Sequence, residues 1–330
     1  MLDALEFRLL NEFQRDFPLV RAPYRRLAAR LGSDEETVLD TLRRLRAAGM
    51  VSRVGPVFAP RRVGASTLAA LAAPEGELER IAARVSARPE VNHNYRREHR
   101  YNLWFVVTAA DDVALAAALG EIERDTGCAL LSLPLLEEFH IDLGFDLAGV
   151  CKAASVPRVI DPAAVPSFSG AQRCLMAALE EGIGLEPYPF REVAAQAGMG
   201  EEEVLGQLRA WLAEGVIKRF GVVVRHHELG FTANAMAVWD VPDEAVCALG
   251  QRLAAEPAVT LCYRRRRQPP AWPYNLFCMI HGRARAEVEQ AIAALGARLG
   301  LDRYDHAVLF STKRYKQRGA RYALAEAANG

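Results

Sequence analysis

The chain has 330 residues and a formal net charge of zero, with 41 Lys and Arg against 41 Asp and Glu. Hydrophobic residues make up 51% and charged residues 25%, which excludes a disordered chain and suits two or more globular domains at roughly 150 residues each. No apolar run approaches the roughly 18 residues of a membrane span, Met1–Leu10 does not read as a signal peptide, and zero net charge argues against nucleic acid as the main partner. The six cysteines show no CxxC spacing, so a cytoplasmic protein with free thiols is expected, without a disulfide scaffold or metal site.

Along the chain, Leu5, Leu9, Leu10 and Phe13 fall at helical spacing within 3–15. A short helix is predicted over Tyr24–Leu31 and ends at Gly32. Ser33 then caps a third helix, with Glu36 completing a capping box. Val38, Leu39, Leu42 and Leu45 point inward on that helix, and Gly49 stops it. Three short helices with a tight turn between the last two read as a helix-turn-helix. Strand-like patterning follows at Val51–Phe58 and Thr67–Ala73, then a helix at Glu77–Ala87. Strands at Val91–Glu98 and Tyr101–Thr108, a helix at Ala114–Asp125 and a strand at Ala129–Glu137 complete a βαββαβ, ferredoxin-like unit. Helices cover one face of such a sheet. The other face must meet a second sheet, a ligand, or both.

The whole pattern then recurs about 166 residues later. Gly49-Met50-Val51-Ser52-Arg53 matches Gly215-Val216-Ile217-Lys218-Arg219. Tyr95-Arg96-Arg97 matches Tyr263-Arg264-Arg265, and Tyr101-Asn102-Leu103-Trp104-Phe105 matches Tyr274-Asn275-Leu276-Phe277-Cys278. Helices at Arg173–Glu181, Phe190–Gly198 and Glu201–Glu214 repeat the helix-turn-helix. The fold class is therefore α+β by tandem duplication. The expected units are a winged helix-turn-helix at 1–60, a ferredoxin-like domain at 61–152, a Pro-containing linker at 153–169, a second helix-turn-helix at 170–225 and a second ferredoxin-like domain at 226–330. The two halves are expected to pair as a pseudo-dimer within one chain, with further homo-oligomerisation open.

This combination, with Gly49, Arg53 and Gly64 and their counterparts Gly215, Arg219 and Gly230, resembles the Lrp/AsnC transcription-factor fold. That resemblance implies an amino-acid-responsive DNA-binding regulator. The residues argue otherwise. The candidate recognition helices open Ser33-Asp34-Glu35-Glu36 and Gly200-Glu201-Glu202-Glu203. Carboxylates there suit the helix dipole and repel phosphate. Arg43, Arg44 and Arg46 keep DNA binding open for the first half only.

The hairpins are more specific. Asn92-His93-Asn94-Tyr95-Arg96-Arg97-Glu98-His99-Arg100-Tyr101-Asn102-Leu103-Trp104-Phe105 is similar to the signature of one half of the siroheme decarboxylases. Cys262-Tyr263-Arg264-Arg265-Arg266-Arg267 with Trp272-Pro273-Tyr274-Asn275-Leu276-Phe277 is similar to that of the other. The chain resembles a fusion of a NirD-like and a NirL-like half. The resemblance implies conversion of two acetate side chains of siroheme to methyl groups on the route to heme d1. It implies no cofactor, with iron present only inside the substrate, and leaves open a need for related decarboxylase subunits.

A flat ring with eight carboxylates calls for aromatic walls and an arginine rim, because guanidinium grips carboxylate bidentately. Arg96, Arg97, Arg100, Arg264, Arg265 and Arg267 are the candidates for the rim. Tyr101, Trp104, Tyr263, Trp272 and Tyr274 join them as substrate-binding candidates. Decarboxylation also needs a proton for the new methyl carbon. His93 with Tyr95, and His281 in the second half, are the candidates for that work or for orienting the carboxylate. Axial approach of one histidine to the substrate iron is the other reading. Strand alternation places His93, Tyr95 and Arg97 on one face, and Leu261, Tyr263, Arg265 and Arg267 on the equivalent face. It sets Asn275, Phe277, Met279 and His281 against Tyr274, Leu276, Cys278 and Ile280. Thr108 is the first half's counterpart of His281, so each half holds a histidine the other lacks. Arg53 and Arg219 are expected to tie the helical domain to the sheet, with ligand binding as the alternative. His99, His140, His226, His227 and His306 read as surface or packing residues.

Overall fold

The computed structural model describes residues 2–59, 62–141, 158–159, 167–225 and 231–319. Most of the expected linker, together with His226 and His227, lies outside the described residues. In the first half the order is α1 (Ala4–Glu12), α2 (Pro23–Leu31), α3 (Glu35–Ala47), β1 (Val51–Phe58), β2 (Ala65–Leu71), α4 (Leu78–Ala87), β3 (Val91–Arg97), β4 (Leu103–Ala109), α5 (Asp112–Thr126) and β5 (Leu130–Ile141). After β6 (Arg158–Val159) the plan repeats as α6 (Gly170–Ala178), α7 (Phe190–Ala197), α8 (Glu201–Ala213) and β7 (Ile217–Val224). It continues through β8 (Ala233–Trp239), α9 (Val246–Ala254), β9 (Val259–Arg265), β10 (Leu276–Gly282), α10 (Arg285–Leu299) and β11 (His306–Gln317).

Local chemistry sets these boundaries. Gly32 closes α2 in the left-handed conformation at φ 68°, and Ser33 donates its backbone N–H back to the Ala28 carbonyl. Ser33 thereby belongs to the end of α2. The cap of α3 falls one residue later than expected, on Asp34, whose side chain accepts from the Thr37 N–H. Gly49 and Gly215, at φ 77° and 73°, turn the chain from α3 into β1 and from α8 into β7.

The two helix-turn-helix units form a single body. β1 and β7 pair antiparallel, with Val54 opposite Val222 and Gly55 opposite Gly221. Leu9, Phe13, Tyr24 and Leu42 share one buried cluster with Phe190, Leu208, Trp211 and Phe220. Approach across this seam is close. A Cβ on Gly221 would sit 2.2 Å from the Phe13 carbonyl oxygen, and one on Gly182 would sit 2.3 Å from that of Val54.

The two ferredoxin-like units likewise close on each other. Within each, the strand order is that of a βαββαβ sheet: β5-β2-β4-β3 and β11-β8-β10-β9. The last strand of each half is long and serves both sheets. β5 pairs with β2 through Leu130–Pro134 and then with β9 through Leu135–Ile141. β11 pairs with β8 through His306–Phe310 and then with β3 through Ser311–Gln317. The eight strands thus form a closed antiparallel ring without a free edge among them. Helices α4 and α5 cover one outer face over Leu78, Ile81, Phe105 and Ile122. Helices α9 and α10 cover the other over Val246, Leu253, Cys278 and Ile292. The inner faces meet over Trp104, Leu133, Trp272, Phe277 and Leu309. The uncovered face anticipated from the helix layout therefore meets a second sheet at one end of the ring. At the other end it borders a cavity.

The recognition-type helices are engaged by the opposite helical unit. Arg21, in the loop before α2, places Nε 2.8 Å from Glu202 and 3.8 Å from Glu201, in the first turn of α8. Arg209 of α8 donates to the Leu19 carbonyl, and Arg43 of α3 donates to the Leu185 carbonyl in the opposite half. Each such helix is fastened to the loop of the other unit. No helix among the described residues is long and apolar enough to cross a membrane.

Candidate active site

A cavity of about 450 Å³ lies between the inner face of the ring and the β1–β7 ribbon. Trp104, Phe277, Leu68, Met236 and Met279 give it apolar walls. Its charge is one-sided. Arg53, Arg97, Arg219, Arg225, Arg265 and Arg318 line it, and among the described lining residues Glu180 supplies the single carboxylate.

Two Tyr–Arg pairs occupy equivalent places in the two halves. Arg97 donates from Nη1 to the Leu309 carbonyl and Arg265 to the Leu133 carbonyl, both at 2.9 Å. The Arg265 guanidinium carbon stands 5.1 Å from the Tyr263 ring centre, and that of Arg97 stands 5.9 Å from the Tyr95 ring centre. Burial pushes both guanidinium groups down to about 10 and pushes both phenols up. Burial also lowers Arg53. On Arg53, Arg97 and Arg265 the buried Nε–H has no hydrogen-bond partner among the described residues. Unmatched buried donors of this kind are costly, and they are the groups an anion would satisfy.

The halves diverge where the histidines sit. His93 lines the cavity with its ring nearly parallel to Tyr95, 11° between planes and 6.3 Å between centres. Its counterpart in the second half is Leu261. His281 lines the cavity with Nδ1 2.9 Å from Thr260 Oγ1. The matching positions in the first half are Thr108 and Asn92, and Asn92 Nδ2 donates to Thr108 Oγ1 at 2.9 Å.

Seven of the sequence-derived candidates thus converge on one cavity: His93, Tyr95, Arg97, Trp104, Tyr263, Arg265 and His281. The others lie elsewhere. Arg96 and Arg264 alternate to the opposite face of their strands, where Arg96 pairs with Glu75 and Arg264 with Asp243. Arg267 follows the end of β9, so the alternation that placed it with Arg265 does not reach it. Its guanidinium binds Asp240 and Asp243 at 2.8 Å. Arg100 donates to the Ala271 carbonyl and lies over the Tyr101 ring. Tyr101, Trp272 and Tyr274 pack edge to face with one another's neighbours around Trp104, forming an aromatic floor with centre distances of 4.9–6.1 Å. Tyr274 joins this floor instead of the Leu276–Cys278–Ile280 face, because Asn275 is held by Val241 and β10 begins only at Leu276. His140 is buried on β5, His99 is half-buried against Trp272, and His306 is exposed.

The helical domain contributes arginines to the cavity wall. Arg219 donates to the Gln14 and Val222 carbonyls and Arg53 to the Pro56 carbonyl, bonds made within the helical body and not to the ferredoxin-like sheet, and both residues line the cavity. Their recurrence at one repeat offset was the available signal. Arg225 and Arg318 carried none. Among the described residues no group of three or more His, Cys, Asp or Glu side chains is placed to hold a metal ion.

Comparison with known proteins shows the family. The siroheme decarboxylase NirDL-like HTH domain model matches residues 6–51 and 172–218, and the AsnC-like ligand binding domain model matches 62–140 and 228–316. Over 322 residues, 98% of each chain, the protein is 46% identical to the siroheme decarboxylase NirDL subunit of Paracoccus denitrificans (strain Pd 1222). The chain belongs to the siroheme decarboxylase family. A stretch of 146 residues, 44% of this chain and 96% of the relative, is 56% identical to the siroheme decarboxylase NirD subunit of Stutzerimonas stutzeri. A crystal structure of the siroheme decarboxylase NirDL in complex with an iron-uroporphyrin III analogue matches with TM-score 0.70 at 26% identity, covering 97% of this chain and 93% of that one. Membership of this decarboxylase family, a family of carboxy-lyases, displaces the DNA-binding regulator that the Lrp/AsnC-like scaffold had implied.

Proposed function

We propose that the cavity binds siroheme and converts two of its acetate side chains to methyl groups, giving didecarboxysiroheme on the route to heme d1. The observation that carries this reading is the charge of the pocket: six arginines and one carboxylate among its described lining residues, around aromatic walls, with buried guanidinium donors on Arg53, Arg97 and Arg265 that have no partner among the described residues. A flat polycarboxylate satisfies those donors and fills the apolar slot. Iron enters within the substrate, and no resident cofactor is invoked.

In each half-reaction the bond between the acetate methylene and its carboxylate breaks. Carbon dioxide leaves, the bonding electron pair is held by the electron-poor macrocycle, and the methylene carbon then takes one proton. The net change is one carboxylate and one proton consumed, one methyl group and one carbon dioxide formed. Arg97, Arg265, Arg53 and Arg219 bind spectator carboxylates and fix the ring. The reacting carboxylate stays away from them, since a bound cation would stabilise it against loss. His93, stacked beside Tyr95, serves as proton donor or orients the carboxylate, and His281 serves the partner role in the other half. Tyr101, Trp272 and Tyr274 support the wall formed by Trp104 and Phe277 from below. Related decarboxylase subunits are further candidates for partners.

Anaerobic incubation of the purified chain with siroheme, followed by mass analysis of the tetrapyrrole, tests the reading. Loss of two carboxyl groups supports it. Tight binding with unchanged siroheme would instead make the protein a carrier, and operator binding would make it a regulator.

A further inference from the structure

The Thr260–His281 contact bears on which imidazole nitrogen carries the proton. The Thr260 hydroxyl has a single hydrogen, and it donates that hydrogen to the Met279 carbonyl at 3.0 Å. The same oxygen lies 2.9 Å from His281 Nδ1. A carbonyl can only accept, so both contacts are hydrogen bonds at once only when Oγ1 donates to Met279 and accepts from the ring, with the N–H on Nδ1. We infer that Thr260 is a positioning residue that holds neutral His281 as the Nδ1–H tautomer, leaving the electron pair on Nε2.

The chemical consequence is specific. A neutral His281 of this form offers an electron pair at Nε2 and no proton there. It suits an electrophile, whether a proton to be taken up or the iron of a bound tetrapyrrole. It gives a proton from Nε2 only after becoming imidazolium. The first half lacks this device. At the equivalent positions Asn92 donates to Thr108, neither of which titrates near neutrality. The same two strand positions are therefore bridged in both halves, and in one of them alone does the bridge set the state of a titratable ring. Backbone anchoring of a threonine to orient a histidine is a role that outer partners of reactive imidazoles commonly fill, and its loss typically costs about 10–100-fold in function.

The inference rests on the reading of His281 as a working group of the cavity, and the experiment keeps the two apart. Protein labelled with ¹⁵N-histidine is examined by long-range ¹H–¹⁵N correlation at a pH where the ring is neutral, with the His281→Gln variant used for assignment. The expected wild-type pattern is a protonated Nδ1 and an unprotonated Nε2. Thr260→Val is expected to mix or reverse the tautomers and to lower decarboxylation about tenfold, and Thr260→Ser to restore both. An Nε2–H tautomer in the wild type overturns the inference, and beyond the assignment variant this readout needs no other variant to fold. An unchanged tautomer in folded Thr260→Val overturns it equally. If the tautomer responds as expected while His281→Gln decarboxylates at full rate, the catalytic reading of His281 falls and Thr260 is no longer a positioning residue for the reaction.

Discussion

Arg97 and Arg265 make the same bond in mirror roles: each reaches across to a carbonyl on the final strand of the other half, Leu309 for Arg97 and Leu133 for Arg265. Each guanidinium keeps a buried Nε–H without a partner among the described residues, and burial lowers both to about 10. Holding such cations in an unliganded cavity costs the folded state free energy that an anionic ligand would return. Arg97→Met and Arg265→Met are therefore expected to weaken siroheme binding by about 10–100-fold each, the scale of a charge-assisted hydrogen bond. The unliganded protein should lose no stability. Absorbance titration and thermal unfolding measure the two effects. A large drop in Tm with intact binding would show that these cations serve the fold.

His93 and His281 stand at positions where the opposite half has Leu261 and Thr108. Replacing either with Ala is expected to slow decarboxylation about 100-fold or more, the usual worth of a positioned acid or base. Binding of siroheme should change far less. Single-turnover assays resolved by mass would reveal a product lacking one carboxyl group if the two histidines serve different steps. Full rates in both variants would remove both from the reaction.

The halves are expected to be unable to stand alone. β5 and β11 each complete the other half's sheet, and the helix-turn-helix units share one core. A chain cut within 142–157 and expressed as two polypeptides should yield a soluble one-to-one complex, with each piece alone aggregating or self-pairing. Size-exclusion chromatography with light scattering reads the outcome. A stable, monomeric single half would contradict this.

The seam of the helical domain is sterically strict. Gly182 sits at φ 84° with space for no Cβ beneath the Val54 carbonyl, and Gly221 faces the Phe13 carbonyl in the same way. Gly182→Ala or Gly221→Ala should cost about 2 kcal/mol or more, since backbone must shift. Because a Cβ on Gly182 would also press on the Arg53 Cβ at 3.0 Å, that variant should weaken siroheme binding as well. Gly127→Ala, with φ 67° and open space around it, is a control for backbone strain alone.

Duplex DNA should not bind. The first turn of α8 is acidic and already engaged by Arg21, and α3 is fastened to the loop at Leu185. Electrophoretic mobility assays at about 150 mM salt should show no retardation at micromolar protein. Salt-sensitive retardation that siroheme abolishes would revive the regulator.

How much of this was legible beforehand depended on how local the cause was. Helix ends at Gly32, Gly49 and Gly215 follow from residues that alone tolerate positive φ, and the wing strand Val51–Phe58 falls where patterning put it. Ser33 closes α2 and leaves the cap of α3 to Asp34, because the end of one helix and the start of the next compete for the same residue. Strand alternation correctly grouped His93, Tyr95 and Arg97, and failed at Arg267 and Tyr274, where the chain leaves the strand.

From the residues alone came the duplication, the two folds in each half, the family resemblance and the divergence of His93 and His281, because each is written in short-range pattern or in self-comparison. Tertiary structure decided that both halves share a single ring of strands, that the helical ribbon roofs the cavity, and that Arg53, Arg219, Arg225 and Arg318 face into it while Arg96, Arg100, Arg264 and Arg267 turn away. A basic residue's sequence neighbourhood is equally compatible with a carboxylate of the protein and with open space awaiting a ligand. The partner is set by tertiary packing: Arg97 reaches a carbonyl 212 residues away, while Arg96 finds a carboxylate 21 residues away on the opposite face.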